Sequence, residues 1–275
     1  MLLAIALLAG CTQRGVVEIP EFHAREKPVP ESIVVVSWNA QKGGNPAFET
    51  DLVRMIVAES PDLVFLQEAR ADLLKTNRIG GHFAPSWSYP WPDGTTIGLL
   101  TLSQVPPLAV RPVRSRHKEF LITAPKMSLV TEYPLADGQR LMAVNTHLLT
   151  FERWSTAGIG AQLEDLETIM REHRGPIVFA GDFNTWSRER LALVERMASR
   201  LELNEVDNFT VGRTTADKHS SFLNWLFGVE PRLPLDRVYY RGFSHHSARV
   251  LTYDTSDHAA IRVTLETVPI TAGEK

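Results

Sequence analysis

The stretch Pro176-Ile-Val-Phe-Ala-Gly-Asp-Phe-Asn-Thr185 constrains the fold more than any other part of the chain. Ile177 to Ala180 run without a polar break, which suits a strand buried on both faces, and Gly181 then lets the chain turn sharply. Asp182 and Asn184 follow two residues apart. On an extended segment they project to the same side, bringing a carboxylate and a carboxamide into one site at a strand's end. That pairing suits metal-assisted hydrolysis: an Asp orients or deprotonates a water, and an amide N–H holds the oxygen that gains charge. The plainer reading is an Asx turn in which both side chains serve local backbone.

Similar runs recur along the chain. Ile33-Val-Val-Val-Ser-Trp38 predicts a buried strand with Asn39 at its end, although Asn39 also suits a turn before Gly43-Gly44-Asn45-Pro46. Phe48, Leu52, Met55 and Ile56 recur at helical spacing until Ser60-Pro61 stops the helix. Asp62 to Leu66 is the next strand, ending in Gln67-Glu68. Residues 80–96, with Trp87, Tyr89 and Trp91, predict a surface loop, and Ile97 to Ser103 a strand. Arg111, Arg114, Arg116, His117 and Lys118 read as a solvated loop or as a phosphate-facing rim. Lys126 stands just before a strand over Met127 to Tyr133, and Ala136-Asp137-Gly138 turns the chain into Leu141 to Asn145. Asn145 and His147 then emerge at that strand's far end.

Ile159, Leu163, Leu166, Ile169 and Met170 make one helical stripe, and Leu191, Val194, Met197 and Leu201 another. Residues 204–234, with Phe222, Trp225, Leu226 and Phe227, lack periodicity and read as a substrate-side excursion. Leu235 to Tyr240 is a strand, and Asp254 to His258 lead into the last, Ala259 to Leu265. Strands alternating with helices and hairpins make the chain α/β with mixed sheet pairing.

With 275 residues, 44% of them hydrophobic, the chain is long enough for one sizeable core. A net charge of −3 gives no global attraction for polyanions, so nucleic-acid contact must rest on a local basic surface. The apolar run Leu2 to Gly10 is too short to span a bilayer but suits a signal-peptide core. It ends in Leu8-Ala9-Gly10-Cys11, which resembles a bacterial lipobox. Cys11 is the sole cysteine, which excludes an intrachain disulfide and suits a lipid attachment point, although no Lys or Arg precedes the run. Residues 1–11 are thus expected to be a leader, 12–31 an extended tether, 32–266 the domain and 267–275 a tail. The expected location is the membrane of a bacterial envelope.

Gly-Asp-Phe-Asn-Thr is one of several ordered signatures, with Ser37-Trp38-Asn39, Gln67-Glu68, Asn145-Thr146-His147, Leu235-Asp236-Arg237-Val238 and Ser256-Asp257-His258. Together they resemble the endonuclease/exonuclease/phosphatase superfamily of DNase I and sphingomyelinase over residues 32–266. The resemblance implies two mixed β-sheets packed face to face, with helices outside and the site formed by loops at one end. It implies that Glu68 binds Mg²⁺, or Mn²⁺ or Ca²⁺, with Asn39 and Asp257 close by. Asp182 would prepare the water and Asn184 hold the phosphate. His258, oriented by Asp236, and His147 would serve phosphate binding or acid–base steps. Asn145 and Lys126 are further phosphate-binding candidates, and Glu119 a candidate partner of His147. Gln41 stands where several repair nucleases place an Asp, which puts a second metal position in doubt.

The expected activity is hydrolysis of phosphodiesters, with nucleic acid ahead of phospholipid as substrate. A phospholipase C or sphingomyelinase-like enzyme, or a phosphoinositide phosphatase, is the rival. A lipid-anchored binding module without catalysis is the third reading, and it has no need of Glu68, His147, Asp182, Asn184, Asp236 and His258 all together.

Overall fold

The computed structural model describes residues 17–19, 28–75, 80–85, 96–118, 125–150, 155–206 and 233–268. Its frame is two mixed sheets of seven and six strands. In the first, Val17–Ile19 (β1), Gly80–Pro85 (β4), Ile97–Ser103 (β5), Leu63–Arg70 (β3), Ser32–Asn39 (β2), Ala260–Thr267 (β13) and Phe243–Leu251 (β12) lie side by side in that order. In the second the order is Asn204–Glu205 (β10), Asp236–Arg241 (β11), Ile177–Asp182 (β9), Arg140–His147 (β8), Pro125–Pro134 (β7) and Ala109–Lys118 (β6). Neighbours are antiparallel except β2/β3 and β8/β9, one parallel pair per sheet. Each parallel pair is joined through a helix, Phe48–Glu59 (α1) in the first case and Ala157–Glu172 (α2) in the second. A third helix, Arg188–Arg200 (α3), follows β9.

The unbroken apolar runs are explained by burial on both faces. Val35, Leu63, Phe65 and Val263 meet Ala143, Val178, Ala180 and Val238 in the core between the sheets. Their neighbours along the same strands point outward: Val36, Val64 and Leu66 pack on Phe48, Leu52 and Met55 of α1. Met142, Val144, Ile177 and Phe179 pack on α2 and α3. Successive residues thus feed different layers, and each fully buried large apolar side chain contributes about 1.5–3 kcal/mol. Helix α1 ends where Ser60, in the left-handed region at φ 45°, donates its N–H to Ile56 O. The Ser187 side chain caps α3 by accepting from Arg190 N.

Several expectations are corrected. Residues 80–85 form strand β4 rather than a loop, while Trp87, Tyr89 and Trp91 lie outside the described residues. The basic run is edge strand β6, its charged side chains solvated on a paired backbone. Lys126 lies within β7, not before it. Strand β3 continues past Glu68 to Arg70 through a bulge. Strand β12, unanticipated, returns from Gly242 to pair with β13. Part of the expected tether is built into the body: β1 pairs with β4, and Val29 is buried against Leu135. Gly181 is no turn but a strand residue at φ 149°, where a Cβ would come within 1.9 Å of Thr146 O. Cys11 and the aromatic residues of 222–227 also fall outside the described residues.

Candidate active site

The two parallel pairs end at the same edge of the sandwich, and their last residues face each other. Asn39 lies opposite Gln67 across β2/β3, and His147 opposite Asp182 across β8/β9. Asp236, first residue of β11, pairs with Asp182 from the other side. Asn39 Nδ2 donates to Asp182 Oδ2 at 2.9 Å, joining one sheet's end to the other's. That Oδ2 also stands 3.5 Å from His147 Nε2 and 4.0 Å from His258 Nε2. His258 Nδ1 meets Asp236 Oδ2 at 2.6 Å. The loop carrying His258 is stapled to β2: Trp38 Nε1 donates to His258 O at 3.0 Å, and Ser256 Oγ to Asn39 O at 2.6 Å.

The Asx turn and the site coexist. Asp182 Oδ1 accepts the N–H of Asn184 at 3.0 Å, which leaves Oδ2 for the cluster. Asn184 is not extended, as expected from its spacing, but left-handed at φ 49°, and its Nδ2 donates to Leu148 O. Glu68 likewise has φ 48° at the bulge of β3. Its Oε1 lies 3.8 Å from Lys126 Nζ and its Oε2 4.0 Å from Lys42 Nζ. Lys126 Nζ is also 3.1 Å from His147 Nε2.

Burial dominates the electrostatics. It raises Asp182 to about 7; Asp236 adds to the rise, while His258 and the Asn184 N–H oppose it. Burial alone would depress His258, but the Asp236 carboxylate on Nδ1, with Asp182 and Asp257 nearby, outweighs it and lifts the imidazole to about 10. His147 is held well below the usual histidine range by burial, then by Lys126, His258 and Lys42. At neutral pH one imidazole is therefore charged and the other is not.

Most of the sequence-assigned residues converge here: Asn39, Glu68, Lys126, His147, Asp182, Asn184, Asp236 and His258. Asp257 is half-buried beside them, its N–H donating to Gln41 Oε1 at 3.1 Å, so Gln41 serves the loop. Asn145 does not reach the mouth. It is wholly buried, with Oδ1 accepting from Gln67 and Nδ2 facing Leu66 O, Leu100 O and Thr101 Oγ1. Its amide is committed inside, which removes it as a phosphate ligand. Glu119 lies outside the described residues.

Sequence reasoning missed Lys42, hidden in what reads as a turn, and Arg190. Arg190 is 1% exposed; its Nε donates to Asn184 O at 2.8 Å and its Nη2 to Leu149 O, tying together the loops that follow β8 and β9. Its signal was its place on the buried stripe Arg190, Val194, Met197. Asp182, Asp236 and His258 each offer an atom within 4.8 Å of the others, a group able to hold one ion.

Known proteins resemble this chain in sequence and in fold. Residues 36–258 match the family described as "Endonuclease/Exonuclease/phosphatase family". A UPF0294 protein of Vibrio campbellii is 31% identical over 231 residues, 83% of this chain and 76% of its own length. An endonuclease/exonuclease/phosphatase of Beutenbergia cavernae superposes with a TM-score of 0.65 at 18% identity, over 86% of this chain and 72% of that one. The human Nocturnin catalytic domain, solved with a bound sulfate anion, gives 0.60 at 21% over 88% and 97%. Both structures share the two-sheet sandwich.

Proposed function

The chain belongs to the endonuclease/exonuclease/phosphatase family, and from that premise we propose that it is a divalent-metal-dependent phosphodiesterase acting on nucleic acid. The observation that carries this reading is the buried Asp182 carboxylate, bracketed by the Asn39 amide and by an imidazole bonded to a second carboxylate, Asp236. Such a site supplies a base, a cation and amide donors around one small volume.

Asp182, poised near neutrality, takes the proton from the attacking water, and Asn39 fixes the oxygen that receives it. His258 stays an imidazolium because Asp236 holds its Nδ1 proton, and it presents Nε2–H to a phosphoryl oxygen or to the leaving oxygen. Asn184 spends one amide hydrogen on Leu148 O and keeps the other for a phosphate oxygen. Lys126 is the nearest ammonium to neutral His147, and it places positive charge where non-bridging oxygens collect.

The donor set fits a hard cation at Glu68. The Glu68 oxygens pair with the Lys126 and Lys42 ammonium groups at 3.8 and 4.0 Å, longer than hydrogen bonds, so an arriving cation would displace two loose ion pairs to reach the lone pairs. Asn39 Oδ1 accepts one bond, from Gln41 N, and retains a second lone pair. Glu68 and Asn39, with half-buried Asp257, would hold a partly hydrated Mg²⁺. When bound, such an ion polarises a phosphoryl oxygen and offsets charge on the leaving group. The Asp182, Asp236 and His258 group suits an ion less well, because His258 Nδ1 is committed to Asp236.

The test is hydrolysis by the purified protein of DNA, RNA, sphingomyelin and phosphoinositides, with Mg²⁺ and after EDTA. Metal-dependent cleavage of DNA or RNA is the expected result. Cleavage confined to sphingomyelin or phosphoinositides would move the substrate to lipid, and activity that persists in EDTA would count against the mechanism.

A further inference from the structure

One layer beneath the site, Gln67 Nε2 donates to Asn145 Oδ1 at 2.8 Å, across the gap between the sheets. The same nitrogen lies 3.3 Å from both Ser37 Oγ and Phe65 O. Asn145 Nδ2 faces Leu66 O, Leu100 O and Thr101 Oγ1 at 3.2–3.3 Å. Both side chains are fully buried. The cluster ties β2, β3 and β5 of the first sheet to β8 of the second. Its members adjoin the site: Ser37 is two residues before Asn39, Gln67 directly precedes Glu68, and Asn145 is two residues before His147.

Among the described residues, Gln67 Oε1 is buried without a protein hydrogen-bond partner. Exchanging the oxygen and nitrogen of the amide would not help, because acceptors surround the nitrogen. A buried carbonyl left unmet lowers stability, whereas apolar side chains of the same shape would raise it. What the pair supplies instead is a fixed separation of the sheets at the depth where the site begins.

We infer that Gln67 and Asn145 are positioning residues, whose bond sets the spacing at which Glu68 and His147 face each other across the substrate phosphate. This rests on the hydrolase reading above. Glu68 and His147 come from different sheets and both meet Lys126, at 3.8 and 3.1 Å. A change in the gap therefore alters both contacts together, and displacements near 1 Å at a reacting centre cost on the order of a hundredfold.

The test uses Gln67→Met, Asn145→Leu and the double variant. Each single change strands the remaining amide and should lower the melting temperature, while the double removes both polar groups and should restore it. The double variant is nonetheless expected to hydrolyse bis(p-nitrophenyl) phosphate at least about tenfold more slowly in kcat/KM, and to bind Mn²⁺ more weakly in calorimetry. Activity and Mn²⁺ affinity that recover together with the melting temperature would overturn the assignment and leave the pair merely structural. Should the double variant not fold, Gln67→Asn with Asn145→Gln keeps both amides and their summed size while moving the bond by one methylene. That exchange is expected to fold and be slow, and parent-level kcat/KM in it overturns the proposal. A parent protein that neither hydrolyses the diester nor binds Mn²⁺ defeats the hydrolase reading itself, and this inference falls with it.

Discussion

His258 and Asp236 are separated by 21 intervening residues yet meet at 2.6 Å, and the charge of one depends on the other. Groups that act as a unit lose activity non-additively, because an orienting carboxylate has nothing to orient once its imidazole is gone. Asp236→Asn and His258→Ala are each expected to lower kcat/KM by roughly a hundredfold, with the double variant little worse than the worse single. Strict multiplicativity in kinetics on folded variants would end the dyad assignment. The pH dependence follows from the same pair. Asp182 must lose its proton to act as base and His258 must keep its own, so kcat/KM should rise through about pH 7 and fall through about pH 10. For stability, the folded-state value of His258 lies above the unfolded value of about 6.5. Its contribution is fully present below that value and disappears as pH rises to about 10. The difference in melting temperature between parent and Asp236→Asn should therefore shrink over that window. At the metal position, Glu68→Gln keeps the shape and removes the charge, so the Mg²⁺ concentration for half-maximal activity should rise and added Mg²⁺ should restore part of the rate.

At the scale of elements, legibility followed burial. Strands β2, β3 and β9 are apolar on both faces because each separates two packed layers, and their runs stood out for that reason. Strands β6 and β12 lie at sheet edges with much of their length exposed, so their residues carry no such pattern. Asn145 was misplaced because a polar residue near a strand end looks the same in sequence whether it faces the mouth or the opposing sheet. The His258 and Asp236 contact was legible only through family resemblance, since no spacing along one element links them. Gly181 reads in sequence as a turn residue, but in the fold the parallel neighbour β8 passes so close that a methyl group would strike Thr146 O. Gly181→Ala is expected to destabilise the fold by about 3 kcal/mol. Thermal or denaturant unfolding measures it, and a loss below about 1 kcal/mol would show that the strand gives way.

At the scale of the whole molecule, the two sheets contribute matching halves, each with a strand–helix–strand unit whose parallel strands end at the site. The lipobox-like residues 8–11 bear on where this body works. If Cys11 is the lipid attachment point, Cys11→Ser should release the protein from membranes and leave catalysis unchanged, and equal membrane retention of mutant and parent would defeat that proposal.

The position of β13 sets the order in which such a molecule comes to life. This strand, the last among the described residues, lies inside the first sheet between β2 and the edge strand β12, and His258 arrives just ahead of it. Asn39 precedes its partners in the chain, Asp182 by 143 residues and Ser256 by 217, so the reacting centre closes only once the residues around His258 have been made. Under the proposed hydrolase reading, a nascent chain that ends short of His258 is thus expected to be inactive. Ribosome-bound chains stalled before Asp257 should show no hydrolysis, and activity should appear once β13 has been made and has cleared the ribosome.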